Sequence, residues 1–274
     1  MQIVAKTDIG LVRKRNEDFF IVSKPHHLVV LCDGMGGHPG GDLASKMAAE
    51  EVQRAVEEDG EGFEITTENS DQVAELQPFM ALVRGVFSAD RKLRAYGRRH
   101  AQYHGMGTTL AALQEHEGML CAVHVGDSRV YCQRGGQLAQ LTHDHSIVAT
   151  LPESARASFA GMRNILTRAL GVGEELAVDF TVAPAQSGET FLLCTDGLHN
   201  YVGEDRMVEV LTSDRTPEER AQTLIDDAKR GGGADNITLA LVWANPPSSS
   251  TVRRLSGAVT GTTSGLRVQL EPKG

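Results

Sequence analysis

The chain has 274 residues, of which 27 are Lys or Arg and 36 are Asp or Glu, so its formal net charge is −9, and 41% of its residues are hydrophobic. This composition is typical of one folded globular domain and excludes collagen-like, disulfide-stapled and wholly disordered chains. The acidic balance argues against a nucleic-acid or anionic-membrane partner, because a polyanion would be repelled.

The sequence also carries signals about its compartment. No apolar run approaches the roughly 18 residues that a membrane-spanning helix needs, and residues 1–8 lack the basic-then-apolar order of a signal peptide. We therefore predict a cytoplasmic protein without a membrane partner. The four cysteines, Cys32, Cys121, Cys132 and Cys194, show no C-x-x-C spacing and lie in apolar runs, so we expect buried, reduced thiols.

Short runs rich in Val, Ile, Leu and Phe predict ten strands. They cover residues 3–7, 19–23, 28–32, 109–113, 120–125, 130–133, 137–141, 177–182, 191–195 and 237–243. Apolar residues that recur every three to four positions predict helices over 42–58, 73–103 and 218–230. Because the strands come in clusters with helices between the clusters, the pattern favours an antiparallel α+β layer arrangement over regular βαβ winding.

The character of the chain changes near residue 244. Residues 1–244 contain no linker or internal repeat and predict a single domain. Of the thirty residues from 245 to 274, sixteen are Ser, Thr, Gly or Pro. Such a composition buries little apolar surface, so we predict a disordered tail over 245–274.

Acidic residues stand at the ends of several predicted strands. Three of them follow an apolar strand directly and three precede one: Asp33, Asp127 and Asp196 in the first group, and Glu17, Asp18 and Asp235 in the second. In an antiparallel sheet the start of one strand lies beside the end of its neighbour. We therefore expect these carboxylates to converge at one edge of the core.

A cluster of ionised carboxylates needs compensation, because like charges a few ångströms apart repel strongly in a protein site. Divalent cations are the natural compensation, and all-oxygen ligands without a nearby His/Cys set favour Mg²⁺ or Mn²⁺. The alternative is that each Asp-Gly pair after a strand is only a turn. Recurrence at five places favours a metal site, and two such ions can activate a water and polarise a phosphoryl oxygen.

Two further residues sharpen this interpretation. Gly34 follows Asp33 and can offer its carbonyl oxygen to a metal, since it has no Cβ in the way. Arg13 stands four residues before Glu17 and can bring a planar, bidentate donor to the same edge. That geometry suits a phosphate dianion.

Seven motifs occur in a fixed order along the chain. They are Arg13-x-x-Asn16-Glu17-Asp18, Asp33-Gly34-Met35-Gly36-Gly37-His38, Gly107-Thr108-Thr109, Val125-Gly126-Asp127-Ser128-Arg129, Asn164-x-Leu166-Thr167-Arg168-Ala169-Leu170-Gly171, Cys194-Thr195-Asp196-Gly197-Leu198 and Asp235-Asn236-x-Thr238. In this order, over about residues 3–243, the chain resembles the metal-dependent (type 2C) serine/threonine protein phosphatases in their bacterial form. The resemblance implies a central β-sandwich of two antiparallel sheets, with α-helices on both outer faces.

The resemblance also implies a role for each matched position. Asp33 would bridge two metal ions, with Glu17 and the Gly34 carbonyl on one ion and Asp196 and Asp235 on the other. Asp127 would hold a weaker third ion together with Asp196. In addition, Asp18 would orient metal-bound water and Arg13 would grip the substrate phosphate.

The chemistry that the resemblance implies is direct attack on phosphorus by a metal-bridging water or hydroxide at a binuclear Mn²⁺ or Mg²⁺ centre. The substrates would be phosphoserine and phosphothreonine proteins of a bacterial serine/threonine kinase, and the enzyme would act as a monomer. Many eukaryotic members carry a His where this chain has Met35, so the general acid stays open. We expect His38 and Asn236 to support the metal ligands without binding an ion themselves.

Two other functions stay open at this point. One is a regulatory module that keeps the fold without activity, and the complete set of candidate ligands argues against it. The other is a di-metal hydrolase of another phosphoester, such as a phosphodiester. The single Arg13 and the absence of a basic groove favour a small dianionic monoester instead. The segment 142–163 aligns with the family's mobile flap beside the site.

Overall fold

The computed structural model describes residues 1–35, 40–58, 65–66, 75–243, 255–262 and 265–270. These residues form thirteen strands. The strands are β1 Gln2–Asp8, β2 Asp18–Ser23, β3 Leu28–Asp33, β4 Ile65–Thr66, β5 Leu110–His116, β6 Met119–Val125, β7 Arg129–Arg134, β8 Gln137–Gln140, β9 Leu176–Pro184, β10 Thr190–Cys194, β11 Ile237–Trp243, β12 Leu255–Thr262 and β13 Gly265–Leu270. All ten predicted strands are therefore present, with ends that differ by a few residues.

The strands form two sheets. The first has the order β1-β11-β10-β7-β8, and the second begins with the five strands β2-β3-β5-β6-β9 and continues through β12, β13 and β4. Every pairing among the ten predicted strands is antiparallel. Neighbouring strands therefore run in opposite directions, and this brings strand starts and strand ends to the same edge.

Seven α-helices belong to the described residues. They are α1 Gly41–Glu58, α2 Met80–Arg99, α3 Ile147–Thr150, α4 Glu153–Arg156, α5 Asp196–His199, α6 Glu204–Thr212 and α7 Pro217–Arg230. The predicted helix over 73–103 is shorter than expected. Pro78 lies in a 3-10 turn, Gln77–Phe79, and α2 begins only after it, because proline starts a helix but does not continue one. Residues 73 and 74 lie outside the described residues. Among those described, no helix is long and apolar enough to cross a membrane.

Three buried apolar layers hold these elements together. One layer lies between the two sheets and includes Val29, Leu31 and Val242. A second packs α1 and α2 on the outer face of the larger sheet, and a third packs α5, α6 and α7 on the outer face of the first sheet. Helices, sheet, sheet and helices therefore stack as four layers, which confirms the predicted α+β sandwich.

Strand β3 shows why its sequence is apolar without alternation. Val29 and Leu31 face the layer between the sheets, whereas Leu28, Val30 and Cys32 face the helices. Both faces of the strand are thus covered, as in other sandwiched sheets. The four cysteines are in the reduced form, and Cys132 is half-buried rather than buried as predicted.

The tail differs from its prediction. The strand β12 pairs antiparallel with β9, with Val259 opposite Val178, and β13 folds back on β12 as a hairpin. Without β12, the backbone groups along this edge of β9 would stay unpaired, and such an edge accepts another strand. The structure thus describes strands at 255–262 and 265–270, a part of the tail whose average composition hides short runs of Val, Leu and Thr. The remaining tail residues lie outside the described residues.

Candidate metal centre

The structure brings the predicted carboxylates together at one edge of the sandwich. Asp18, at the start of β2, lies opposite Asp33, at the end of β3, in the register of that strand pair. Asp196 follows β10 after a single residue, Thr195, whose hydroxyl donates a 2.9 Å hydrogen bond to Asp18 Oδ2. The two sheets therefore meet at this point, and both contribute acids to the cluster.

The third part of the edge is the start of β11. Asp235 lies two residues before β11, and its Oδ2 accepts a 2.7 Å hydrogen bond from Arg13 Nη2. Hydrogen bonding to Asp235 and the charges of Asp235, Glu17 and Asp33 raise the pKa of Arg13. The guanidinium is 38% exposed. Arg13 is therefore a permanent cation at the open side of the carboxylate cluster.

Asn236 fastens the loop that carries Glu17. Its Oδ1 accepts the Glu17 backbone N–H at 2.8 Å, and its Nδ2 donates to the carbonyls of Ile9 and Arg15. The side chain is 3% exposed. Asn236 thus satisfies three backbone groups and sets the position of Glu17.

Gly34 lies where a side chain has no room. Its N–H donates to the Glu17 carbonyl at 3.0 Å, and a Cβ at this position would come within 2.2 Å of the Gly41 carbonyl oxygen. Only glycine permits this approach of the Asp33-Gly34 turn to the start of α1. The next residue, Met35, donates its N–H to the Gly107 carbonyl at 3.0 Å. His38 lies outside the described residues.

The electrostatics of the cluster favour cation binding. Burial, followed by the repulsion of neighbouring carboxylates, raises the pKa of Asp18 to about 7, of Asp127 to about 8 and of Asp196 to about 6. The pKa of Asp33 is raised for the same reasons. Among the described residues, Asp18 Oδ1 and Asp196 Oδ1 are buried without a hydrogen-bond partner. Oxygen donors that lack a partner in a crowded acidic site fit hard divalent cations.

Asp127 lies in the turn between β6 and β7, on the side of the cluster near Asp196. Its backbone carbonyl accepts a 3.0 Å hydrogen bond from His199 Nε2. Burial lowers the pKa of His199 to about 3, so this imidazole is neutral at pH 7. The sequence motifs did not indicate a role for His199. Its position three residues after Asp196 could have indicated one, since residues i and i+3 of a helix share a face.

A second missed feature is a polar network at the base of the segment 142–163. His145 Nδ1 accepts the Gly126 N–H at 3.1 Å, so the proton on Nε2 is free to bond Asp179 Oδ2, 3.1 Å away. Arg168 Nη1 donates to Asp179 Oδ1 at 2.7 Å, and the ring of His124 stacks on His145 with the centroids 4.7 Å apart.

This network is not a metal site of the usual kind. His124, His145 and Asp179 place ligand atoms within 4.8 Å of one another, but the Arg168 guanidinium already lies against both His145 and Asp179. A resident cation therefore balances the carboxylate. The Thr167 N–H also donates to the His145 carbonyl at 2.8 Å. The network therefore joins the two ends of the segment 146–166. This segment overlaps most of the predicted flap, 142–163, and is the one that we call the flap from here on.

A groove of about 420 Å³ opens at the carboxylate cluster. One part of its lining comes from the sheet edge and the helix that follows β10: Asp196, Asn200, Tyr201 and Asp235. The other part comes from the flap: Gly161, Arg163 and Asn164. Two acids of the cluster and the flap thus border one space, which is large enough for a phosphorylated side chain.

Comparisons with known proteins agree with this geometry. The family profile described as protein phosphatase 2C matches residues 13–227. Over 248 residues the chain is 37% identical to the serine/threonine phosphatase Stp of Listeria innocua, covering 88% of this chain and 94% of that protein. Over 255 residues it is 34% identical to the protein phosphatase PhpP of Streptococcus pneumoniae, covering 89% and 98%.

Solved structures give the same result. The Mycobacterium tuberculosis serine/threonine phosphatase PstP matches with a TM-score of 0.74 and 33% identity, covering 90% of this chain and 98% of that one. The catalytic domain of PstP in complex with two manganese ions matches with a TM-score of 0.72 and 33% identity, covering 88% and 96%. The chain therefore belongs to the protein phosphatase 2C family and is a metal-dependent protein serine/threonine phosphatase. The predicted family and fold are confirmed.

Proposed function

We propose that Asp33, Glu17, the Gly34 carbonyl, Asp196 and Asp235 hold two divalent cations, Mn²⁺ or Mg²⁺. The observation that carries this proposal is the buried acidic cluster with carboxylate oxygens that lack any partner. Asp33 belongs to both ligand sets in this proposal, so its carboxylate would help to hold each ion. Two manganese ions in the related PstP catalytic domain support the number and the class of ion.

Asp127 and Asp196 hold a weaker third cation in this proposal. Asp127 is 8% exposed, and the charge of Asp196 contributes to its raised pKa. A cation between these two side chains would relieve that repulsion. The bond from His199 to the Asp127 carbonyl supports the role by fixing the turn that carries this carboxylate.

When bound, the divalent cations act as Lewis acids on the phosphoryl oxygens and lower the pKa of water at the site. The residues of the chain supply binding and orientation. Arg13 binds the phosphate dianion, because its guanidinium already lies at the open side of the cluster and presents paired N–H donors. Asp18 orients the attacking water with its free Oδ1, since its Oδ2 is fixed by Thr195.

The proposed substrates are proteins that carry phosphoserine or phosphothreonine, made by a serine/threonine kinase that this enzyme opposes. The relatives are a serine/threonine phosphatase and a protein phosphatase, which supports this class of substrate. We place the catalytic unit in residues 1–244 and expect a monomer in the cytoplasm. In this proposal Asn236 positions Glu17, and His38 likewise supports a metal ligand without binding an ion.

Phosphate release from a phosphothreonine peptide tests this function. Purified protein is assayed with added Mn²⁺, with added Mg²⁺ and with EDTA. We expect turnover with either ion and none with EDTA. Turnover that persists in EDTA, in a preparation shown to be free of metal, would contradict the proposed centre.

A further inference from the structure

A second cavity lies beside the catalytic groove. Its volume is about 480 Å³, against about 420 Å³ for the groove itself. Arg163 and Asn200 line both spaces. A substrate chain whose phosphorylated residue occupies the groove therefore has this cavity as an adjacent place for a neighbouring side chain.

The charges that line the second cavity are unequal. Three guanidinium groups line it, those of Arg129, Arg156 and Arg163, together with the carboxylates of Asp127 and Asp144. Arg129 and Asp144 form a bidentate pair, with Nε–Oδ1 and Nη2–Oδ2 distances of 2.8 and 2.6 Å. That pair cancels its own charge. The two other guanidinium groups stand against the single carboxylate of Asp127, so the lining as a whole keeps a net positive charge.

Arg156 is held in place by the flap itself. Its Nε donates to the Leu151 carbonyl at 3.1 Å and its Nη2 donates to the Ala149 carbonyl at 3.2 Å. A guanidinium carries five N–H donors, so these two bonds leave donors for a ligand. The side chain is exposed, and Val148 and Ala149 provide an apolar wall next to it. The cavity thus combines a fixed cation with room for an aliphatic stem.

We propose that this cavity binds an anionic side chain of the phosphoprotein substrate, a carboxylate or a second phosphate, close to the residue that is dephosphorylated. The inference rests on the proposed function, because the groove must hold the phosphorylated residue. Arginine recognises both anions through paired hydrogen bonds. The chain carries a net charge of −9, so its overall field repels an acidic peptide and a local cationic cavity gives selectivity.

The test compares kcat/KM for a set of phosphothreonine peptides with Mn²⁺ present. A reference peptide has Ala at every other position near the phosphothreonine, and matched peptides carry one Glu, one phosphoserine or one Lys at each of the three positions on either side. We expect one position at which Glu or phosphoserine raises kcat/KM about fivefold, the scale of an exposed ion pair with good geometry. Because Glu and phosphoserine are separate arms, their ratio tells which anion the cavity prefers.

Variants assign that preference to the cavity. Arg156→Gln should bring the ratio of Glu peptide to Ala peptide to about one, Arg156→Lys should keep part of it, and Arg156→Glu should favour the Lys peptide. Arg99→Gln removes the same charge from the exposed end of α2 and should keep the wild-type ratio. A reversed preference cannot come from a damaged flap, since damage would lower all rates together.

Two results would overturn the inference: equal rates for Glu, Ala and Lys peptides in the wild-type protein, or an unchanged Glu preference in Arg156→Gln. Failure of the proposed function is a separate outcome, in which even the Ala peptide releases no phosphate. In that case fluorescence anisotropy of the labelled peptides with Ca²⁺-loaded protein measures the same preference as a ratio of dissociation constants, and an equal affinity for Glu and Ala peptides would again overturn the inference.

Discussion

Thr195 and Asp18 stand 177 positions apart in the sequence, yet the Thr195 hydroxyl donates to Asp18 Oδ2 across 2.9 Å. The same hydroxyl accepts the Thr238 N–H at 3.1 Å. One buried oxygen therefore links β2, β10 and β11, and it leaves only Oδ1 of Asp18 available to the site.

Replacing this hydroxyl should affect both stability and rate. In Thr195→Val, the buried Thr238 N–H and Asp18 Oδ2 lose their partner, which costs about 1–3 kcal/mol in the free energy of unfolding. We expect kcat to fall about tenfold through the freed Asp18, with KM little changed. Urea unfolding and steady-state assays measure the two effects. Thr195→Ser keeps the hydroxyl and is the control; a Val variant with the kcat of that control would contradict the role of this bond.

Asp196 should be essential for turnover and unfavourable for metal-free stability. Its pKa is raised to about 6 by burial and by Asp235, so its charge is poorly accommodated without a cation. Asp196→Asn should therefore abolish detectable phosphate release while raising the melting temperature in EDTA. Differential scanning calorimetry and the peptide assay check both. A variant with wild-type turnover would remove Asp196 from the reaction.

The metal-free protein should lose stability as the pH rises from 7 to 9. In the folded state Asp18 and Asp127 have pKa values of about 7 and 8, whereas in the unfolded chain they are near 4 and already ionised. The folded state thus binds more protons in this window, and the free energy of unfolding falls with pH. The neutral His124 and His199 act in the opposite direction only below about pH 6.5, where unfolded histidines take up protons.

Urea unfolding in EDTA at pH 7 and pH 9 measures this change. Saturating Mn²⁺ should make the change much smaller, because the cations hold the carboxylates ionised in the folded state at both pH values. The fall that is left comes from the buried cysteines, whose pKa values are raised in the folded state, so that they ionise near pH 9 only in the unfolded chain. A metal-free stability that stays level or rises over this range would contradict the proton balance of the cluster.

His145 should hold the two ends of the flap together. In His145→Ala, the Gly126 N–H loses its acceptor and Asp179 loses one of its donors, at a cost of about 2 kcal/mol. We expect faster hydrogen exchange at the Thr167 amide, which bonds the His145 carbonyl, and faster cleavage within the flap by proteases. His143→Ala is the matched control because His143 is exposed. Equal exchange in both variants would show that the network does not anchor the flap.

The strands and the convergence of carboxylates could be predicted because both depend on local patterns. An apolar run that ends in Asp predicts a buried strand with an acid at its end, and the antiparallel arrangement then places Asp18 opposite Asp33. The motifs around Asp33, Asp196 and Asp235 carried the family resemblance. None of these inferences needed a contact between specific side chains.

Other features have no local signal. The bond from Thr195 to Asp18 and the network around His145 join polar residues that are far apart in sequence, and no periodicity marks such pairs. The short helices α3 and α4 of the flap span four residues each, too few for a helical pattern. The hairpin of β12 and β13 depends on the edge of β9, which composition cannot reveal.

The acidic cluster at the edge of the sandwich is, in our proposal, a divalent metal centre. Anomalous X-ray diffraction at the manganese absorption edge, from crystals grown with Mn²⁺, tests it most directly. We predict two strong peaks with Asp33 between them, one near Glu17 and Gly34 and the other near Asp196 and Asp235. Peaks absent from this cluster, or present only at His124, His145 and Asp179, would contradict the account.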